Sequence, residues 1–131
     1  MFSVRKARRA DMPVFEEMVE LLFPNAHFRN LENDMYLVAE KEGGIPVGFC
    51  HMRIRDVSCY IAGLGVLPQY REHGIGTMLM DAALRIADRR GVQTTLLKVR
   101  ALNHASKIYL QLGFFEKKSG DMLTLVRKRP S

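Results

Sequence analysis

The sequence predicts an α/β domain (a mixed, α+β-type sheet) with a central, mostly antiparallel sheet flanked by helices, in the order β-α-β-β-β-α-β-α-β-β. Three observations carry that expectation. Two segments show helical periodicity, several strand-length apolar segments separate them, and a glycine-containing turn joins one buried strand to the longer helix. The chain has 131 residues, enough for one real core and too few for two. It carries no linker, internal repeat or low-complexity tract, so residues 1–131 read as a single domain.

Each element has a local reason. Ser3–Lys6 reads as a first strand. Asp11 is a good N-cap and Pro13 suits the first turn of the helix that follows. Val14, Phe15, Met18, Leu21 and Leu22 give that helix an apolar face, and Pro24–Asn25 ends it. Residues 25–35, with His27, Phe28 and Arg29, read as a loop or short irregular helix. Tyr36–Lys41 and Ile45–Ile54 flank a Glu42–Gly43–Gly44 turn, and Val57–Val66 is the fourth strand. Ile75, Met78, Leu79, Ala82, Ala83, Ile86 and Ala87 recur at three- and four-residue spacing and predict a helix over Gly74–Arg90, with Gly91 as its left-handed cap. Thr94–Ala101 is strand five and Ala105–Leu112 a short helix closed by Gly113. Phe114–Lys118 and Met122–Arg127 form a final antiparallel pair.

Composition excludes several classes. A hydrophobic fraction of 47% with 26% charged residues is ordinary for a globular protein, and no apolar run is long enough to span a membrane. No apolar stretch follows the N-terminal charges, so a secretory leader is not expected. Cys50 and Cys59 are too few for a disulfide framework and lack metal-ligand spacing, so no metal site is expected; buried thiols in a reducing cytoplasm are the reading. The net charge is +6 and the pI about 9.6. The basic residues fall in separate small groups at Arg5–Arg9, Arg89–Arg90 and Arg127–Arg129 rather than in one stripe with aromatic interleaving. A phosphate-bearing cofactor would also welcome this charge, and a nucleic-acid-binding domain is a third, less favoured reading that rests on net charge alone.

The chemistry centres on the passage from strand four to the longer helix. Leu64, Gly65, Val66, Leu67 and Pro68 end the strand; Tyr70, Arg71, Glu72, His73, Gly74, Ile75, Gly76 and Thr77 follow. A helix leaves its first N–H groups without acceptors, and its dipole favours an anion there, while glycines let a phosphate approach the main chain. The spelling is not a dinucleotide fingerprint, because Leu79 stands where a third small residue is needed. Nor is it a nucleotide P-loop, because Thr77 and Met78 follow Gly76. Leu-x-Val-x-Pro followed by Tyr-Arg-x-x-Gly-Ile-Gly resembles the pyrophosphate-binding signature of the GNAT superfamily of acyl-CoA-dependent N-acyltransferases. Downstream, Ala105, Tyr109, Gly113 and Phe114 are spaced as in the second signature of that family. The asparagine differs: Leu102 holds its usual place, and Asn103 lies one residue later. Element order outside the two signatures is compatible, so the resemblance spans nearly the whole chain.

The resemblance implies transfer of an acetyl group from acetyl-CoA to a primary amine by direct attack in a ternary complex. Arg71–Thr77 would hold the pyrophosphate, Leu64–Val66 would pair with the pantetheine arm and polarise the thioester carbonyl, and Asn103 would contact the same arm. Tyr109 would be the catalytic acid that protonates the leaving thiolate. Gly65 suits either a bulge or close packing. No carboxylate lies on Val57–Leu64 to serve as base; His51 and His104 are candidates beside a structural reading of each, and His73 would lend an N–H to the phosphate turn. The cysteines have no role, because direct attack needs no covalent enzyme intermediate. The short stretch between the first helix and strand two implies an open acceptor site, suited to a peptide or protein end or completed by a second subunit. The acceptor amine is left open between a protein N-terminus or lysine and a small molecule. So is homodimer formation through the C-terminal edge strands. The rival reading is a non-catalytic acyl-CoA sensor or regulatory module, which binds the cofactor without turnover.

Overall fold

The structure is a computed structural model that describes residues 1–24, 34–100, 106–118 and 120–130. Seven strands form one sheet: β1 (Phe2–Lys6), β2 (Asp34–Lys41), β3 (Ile45–Arg55), β4 (Ser58–Val66), β5 (Thr94–Arg100), β6 (Phe115–Lys118) and β7 (Met122–Lys128), ordered β1-β2-β3-β4-β5-β7-β6. Helices α1 (Met12–Leu22), α2 (Ile75–Arg89) and α3 (Ser106–Gln111) complete the predicted order. Every neighbouring pair is antiparallel except β4 and β5. The expected mixed, mostly antiparallel sheet flanked by helices is thus the observed one, with short 3-10 turns at Arg9–Asp11 and Pro68–Tyr70 that local spacing did not reveal.

Strand alternation sends successive side chains to opposite faces, and the two faces bury different helices. Leu37, Cys50, Met52, Cys59 and Ile61 pack with Ile75, Leu79, Met80, Ala83 and Ala87 of α2. On the other face Tyr36, Val38 and Phe49 meet Phe15, Met18 and Val19 of α1. Both thiols are buried, and burial pushes that of Cys59 up to about 11 and that of Cys50 higher still, so neither is a thiolate near neutrality.

One expected cap takes another form. Asp11 precedes α1 in helical conformation and makes no cap bond to it. A 3-10 turn has already begun at Arg9, so the carboxylate accepts the Arg8 N–H at 2.6 Å and a bidentate pair from Arg5 at 2.9 Å each.

The central feature for function is a fork. β4 and β5 pair only from Ser58–Ile61 against Thr94–Leu97. Beyond that point β4 stays with β3 as far as Val66, and β5 stays with β7 as far as Arg100. A bulge contributes to the parting. His51 opposes Gly63 and Met52 opposes Ile61, which leaves Ala62 as the extra residue, and bulges bend and twist the strand that holds them. The bulge is therefore at Ala62 and Gly65 is the packing glycine: a Cβ there would lie 2.8 Å from both Leu22 Cδ1 and Phe49 Cε1.

Candidate active site

A cleft of about 690 Å³ occupies the mouth of the fork. Leu64, Gly65 and Val66 of β4 and Ile108 and Tyr109 of α3 line it. The turn from Tyr70 to Thr77 supplies the floor, and Leu22 and Phe23 at the end of α1 close one side.

The turn is built to receive an anion. Gly74 stands before α2 at φ +77°, and Glu72 is left-handed at φ +67°, an uncommon conformation for a residue with a side chain. The first helical N–H to find a carbonyl is that of Met78, which donates to Gly74 at 3.0 Å. The N–H groups of Ile75, Gly76 and Thr77 have no acceptor within the helix and stand at its positive end. A Cβ at Gly74 or Gly76 would meet nothing within 4 Å, so there is room for a ligand against the main chain. Arg71 is folded back, its Nε donating to the Val66 carbonyl at 3.0 Å and tying the turn to the end of β4. These donors and that space fit the pyrophosphate of an acyl-CoA, and beyond Ile61 the edge of β4 no longer pairs with β5.

The histidines separate from one another. His73 Nδ1 lies 2.8 Å and 3.1 Å from the carbonyls of Arg71 and Tyr70, so it carries the proton and donates to its own turn, and its ring stands edge-on to Phe2. It does not border the cleft. His51 leans toward β2: its ring stacks on Tyr36 at 4.3 Å, with Nε2 3.0 Å from the fully buried carboxylate of Asp34. Arg53 Nε meets the same carboxylate at 2.9 Å. His51 is thus a strongly packed side chain outside the described cleft lining. Asn103 and His104 lie outside the described residues.

Tyr109 is 5% exposed, faces the cleft, and rests edge-on against Phe114. Burial, with a smaller contribution from Cys50, raises its phenol to about 12. It is neutral at physiological pH and available to donate. Sequence reasoning did not find Leu22 and Phe23 as cleft residues, since they read as the apolar end of a helix; the Pro24 that ends the helix beside them was the only available signal.

Comparison with known proteins agrees with this geometry. Residues 3–114 match the acetyltransferase (GNAT) family, and the chain belongs to it. It is an acetyl-CoA-dependent N-acetyltransferase. The chain is 38% identical over 93 residues to N-alpha-acetyltransferase 30 of Schizosaccharomyces pombe, a match covering 70% of this chain and 59% of that protein. The crystal structure of the ribosomal-protein-S18-alanine N-acetyltransferase from Escherichia coli superposes with a TM-score of 0.84 at 20% identity, covering 98% of this chain and 94% of that one. The PaiA N-acetyltransferase from Thermoplasma acidophilum, solved in complex with coenzyme A, gives 0.80 at 18% identity over 98% and 99% of the two chains.

Proposed function

We propose that this chain acetylates the α-amine at the N-terminus of a protein or peptide, by direct transfer within a ternary complex with acetyl-CoA. The observation that carries the acceptor class is the character of the cleft wall. Leu22, Phe23, Ile108 and Tyr109 border it, and among the described lining residues the only carboxylate is Glu72, which belongs to the phosphate turn. A polyamine or an aminoglycoside needs carboxylates for its several charges, and a peptide end needs an apolar slot for its first side chain. The names of the fission yeast relative and of the bacterial alanine N-acetyltransferase point the same way.

Proton bookkeeping supports the same choice. At pH 7.5 an α-amine of pKa about 8 is roughly one-quarter neutral, whereas a lysine of pKa about 10.4 is neutral about once in a thousand. β4 has no carboxylate to act as base, a lack that an α-amine tolerates far better than a lysine.

The residues then have separable tasks. Ile75, Gly76 and Thr77 hold the pyrophosphate through main-chain N–H groups, with Asn103 as a further contact to the pantetheine arm. Arg71 and Glu72 shape the turn, and His73 locks it. The main chain from Leu64 to Val66 orients the pantetheine arm and donates to the carbonyl oxygen as charge develops there. When bound, acetyl-CoA supplies the thioester that the amine attacks. Tyr109 donates its phenolic hydrogen toward the departing sulfur. An alkyl thiol of pKa near 8.5 is a stronger acid than a phenol at about 12, so Tyr109 stabilises the sulfur by a hydrogen bond more than by outright proton transfer.

The test is a set of peptides of one sequence, with free or blocked α-amine and with or without an internal lysine, incubated with acetyl-CoA and mapped by mass spectrometry. Modification confined to free α-amines supports the proposal. Modification of lysine in the blocked peptide overturns it, and cofactor binding without release of thiol to any amine identifies the sensor reading instead.

A further inference from the structure

Basic runs that are far apart in the sequence meet at one end of the fold. β1, β3 and β7 all finish there, β2, β4 and β5 begin there, and α2 descends to it. Lys6 therefore closes β1 beside Arg8 and Arg9, Arg89 and Arg90 finish α2, and Arg129 donates its N–H to the Gln93 carbonyl at the entry to β5. A second cavity, of about 400 Å³, opens between the first two groups and is bordered by Lys6, Arg8, Arg9 and Arg90. Among the described lining residues its one carboxylate is Asp34, fully buried and already held by Arg53 and His51. Among the described residues the cavity's four rim cations form no ion pair.

The acyl donor does not account for this charge. Its phosphate turn is at the opposite end of α2, whose 15 residues extend over about 22 Å. A bilayer fits it less well: Phe15, Met18 and Val19 of α1 and the buried face of α2 pack on the sheet, while the exposed Leu21 of the expected α1 apolar face lies at the end of α1 next to the cofactor cleft, away from these charges. Three of the four rim cations are arginines, whose planar fork matches phosphate oxygens in pairs.

We propose that this end of the molecule binds the phosphodiester backbone of a nucleic acid, through Lys6, Arg8, Arg9 and Arg90, independently of the cofactor cleft. Such a surface would bring the enzyme to acceptors that are carried on ribonucleoprotein, and it stands or falls apart from the choice of acceptor amine.

Fluorescence anisotropy with a labelled single-stranded RNA of mixed sequence tests it directly. Four phosphate contacts predict a slope of about −3 for log affinity against log salt, or about a 60-fold loss for a fourfold rise in salt. In R8Q/R90Q the slope falls to about −1.4, with the unfolding temperature and peptide acetylation unchanged. Should the double variant fold poorly, R90Q alone serves, with a slope reduced by about 0.7. A control, K117Q/K118Q, removes the same charge from the exposed edge strand β6 and leaves the slope unchanged. The proposal is overturned by no binding at about 50 mM salt, the low end of the usual assay range, or by an equal fall of slope in the control. Displacement of the RNA by saturating CoA also overturns it, as does binding to phosphatidylserine vesicles but not to RNA.

Discussion

Tyr109 shows how burial sets a side chain's chemistry. The residue is buried and borders the cleft, and a phenol raised to about 12 stays neutral throughout the working range. Tyr109→Phe should lower kcat about 100-fold while the KM for acetyl-CoA changes little, measured by thiol release at saturating peptide. A second residue-scale prediction concerns Arg5, which bridges Asp11 and Glu40. Its guanidinium first, then the Arg8 N–H, lowers Asp11 from 3.8 to about 2. A depressed carboxylate stabilises the fold above its ordinary value and loses that contribution as pH falls toward the folded value. Arg5→Met should therefore unfold at lower temperature than the parent at pH 7, and the gap should close between about pH 4 and 2. On the alkaline side the raised Cys59 and Tyr109 act in the opposite sense. Their contribution is complete below about pH 9 and is lost as pH climbs through about 11 to 12.

At the scale of elements, β4 and the start of α2 contain glycines with different duties. Gly65 lets the end of α1 and the ring of Phe49 close on β4, and Phe49 is itself pinned edge-on by Phe15. Gly65→Ala should destabilise by about 1–3 kcal/mol, read from denaturant midpoints at constant slope. Gly76 has open space around it and lies in the first turn of α2, where a carboxylate is favoured by the helix dipole. Gly76→Glu should thus fold normally and fail to bind acetyl-CoA, because its charge meets the pyrophosphate. Calorimetry on the two variants separates a fold defect from a ligand defect: the first unfolds early with binding retained, the second unfolds on time with binding lost.

The whole molecule is organised as a fork with unequal ends. One end gathers main-chain donors around a cleft, and the other gathers guanidinium groups around a second cavity. The cleft is lined by Leu64–Val66 of β4 and by Ile108 and Tyr109 of α3, so a bound acyl-CoA should tie these two elements together. At about 100 times its Kd the ligand adds roughly 2.7 kcal/mol, which raises the unfolding temperature of a domain this size by roughly 8–10 °C. The same shift should appear in R8Q/R90Q and disappear in Gly76→Glu, which assigns it to the cleft.

Much of this was legible in the chain because it is local. The apolar repeat of α2, the Glu42–Gly43–Gly44 turn, the glycines before α2 and the spacing of Tyr109 from Gly113 are all set by neighbours within a few residues, and periodicity or turn chemistry reports them directly. The class of the fold followed from those signals, and the nature of the cofactor from the resemblance of the Leu64–Thr77 and Ala105–Phe114 stretches to the two GNAT signatures. Other features arise from pairings between distant segments. The bulge at Ala62 depends on β3, the crowding at Gly65 depends on Leu22 and Phe49, and the Asp34–His51 pair depends on the register of β2 with β3. The sequence by itself determined the strands and helices, their order, and the glycine-containing turn before α2. Only the tertiary structure decided where β4 leaves β5, which apolar residues wall the cleft, and that scattered arginines converge on one end, because each of these is a distance between residues that chain spacing does not encode.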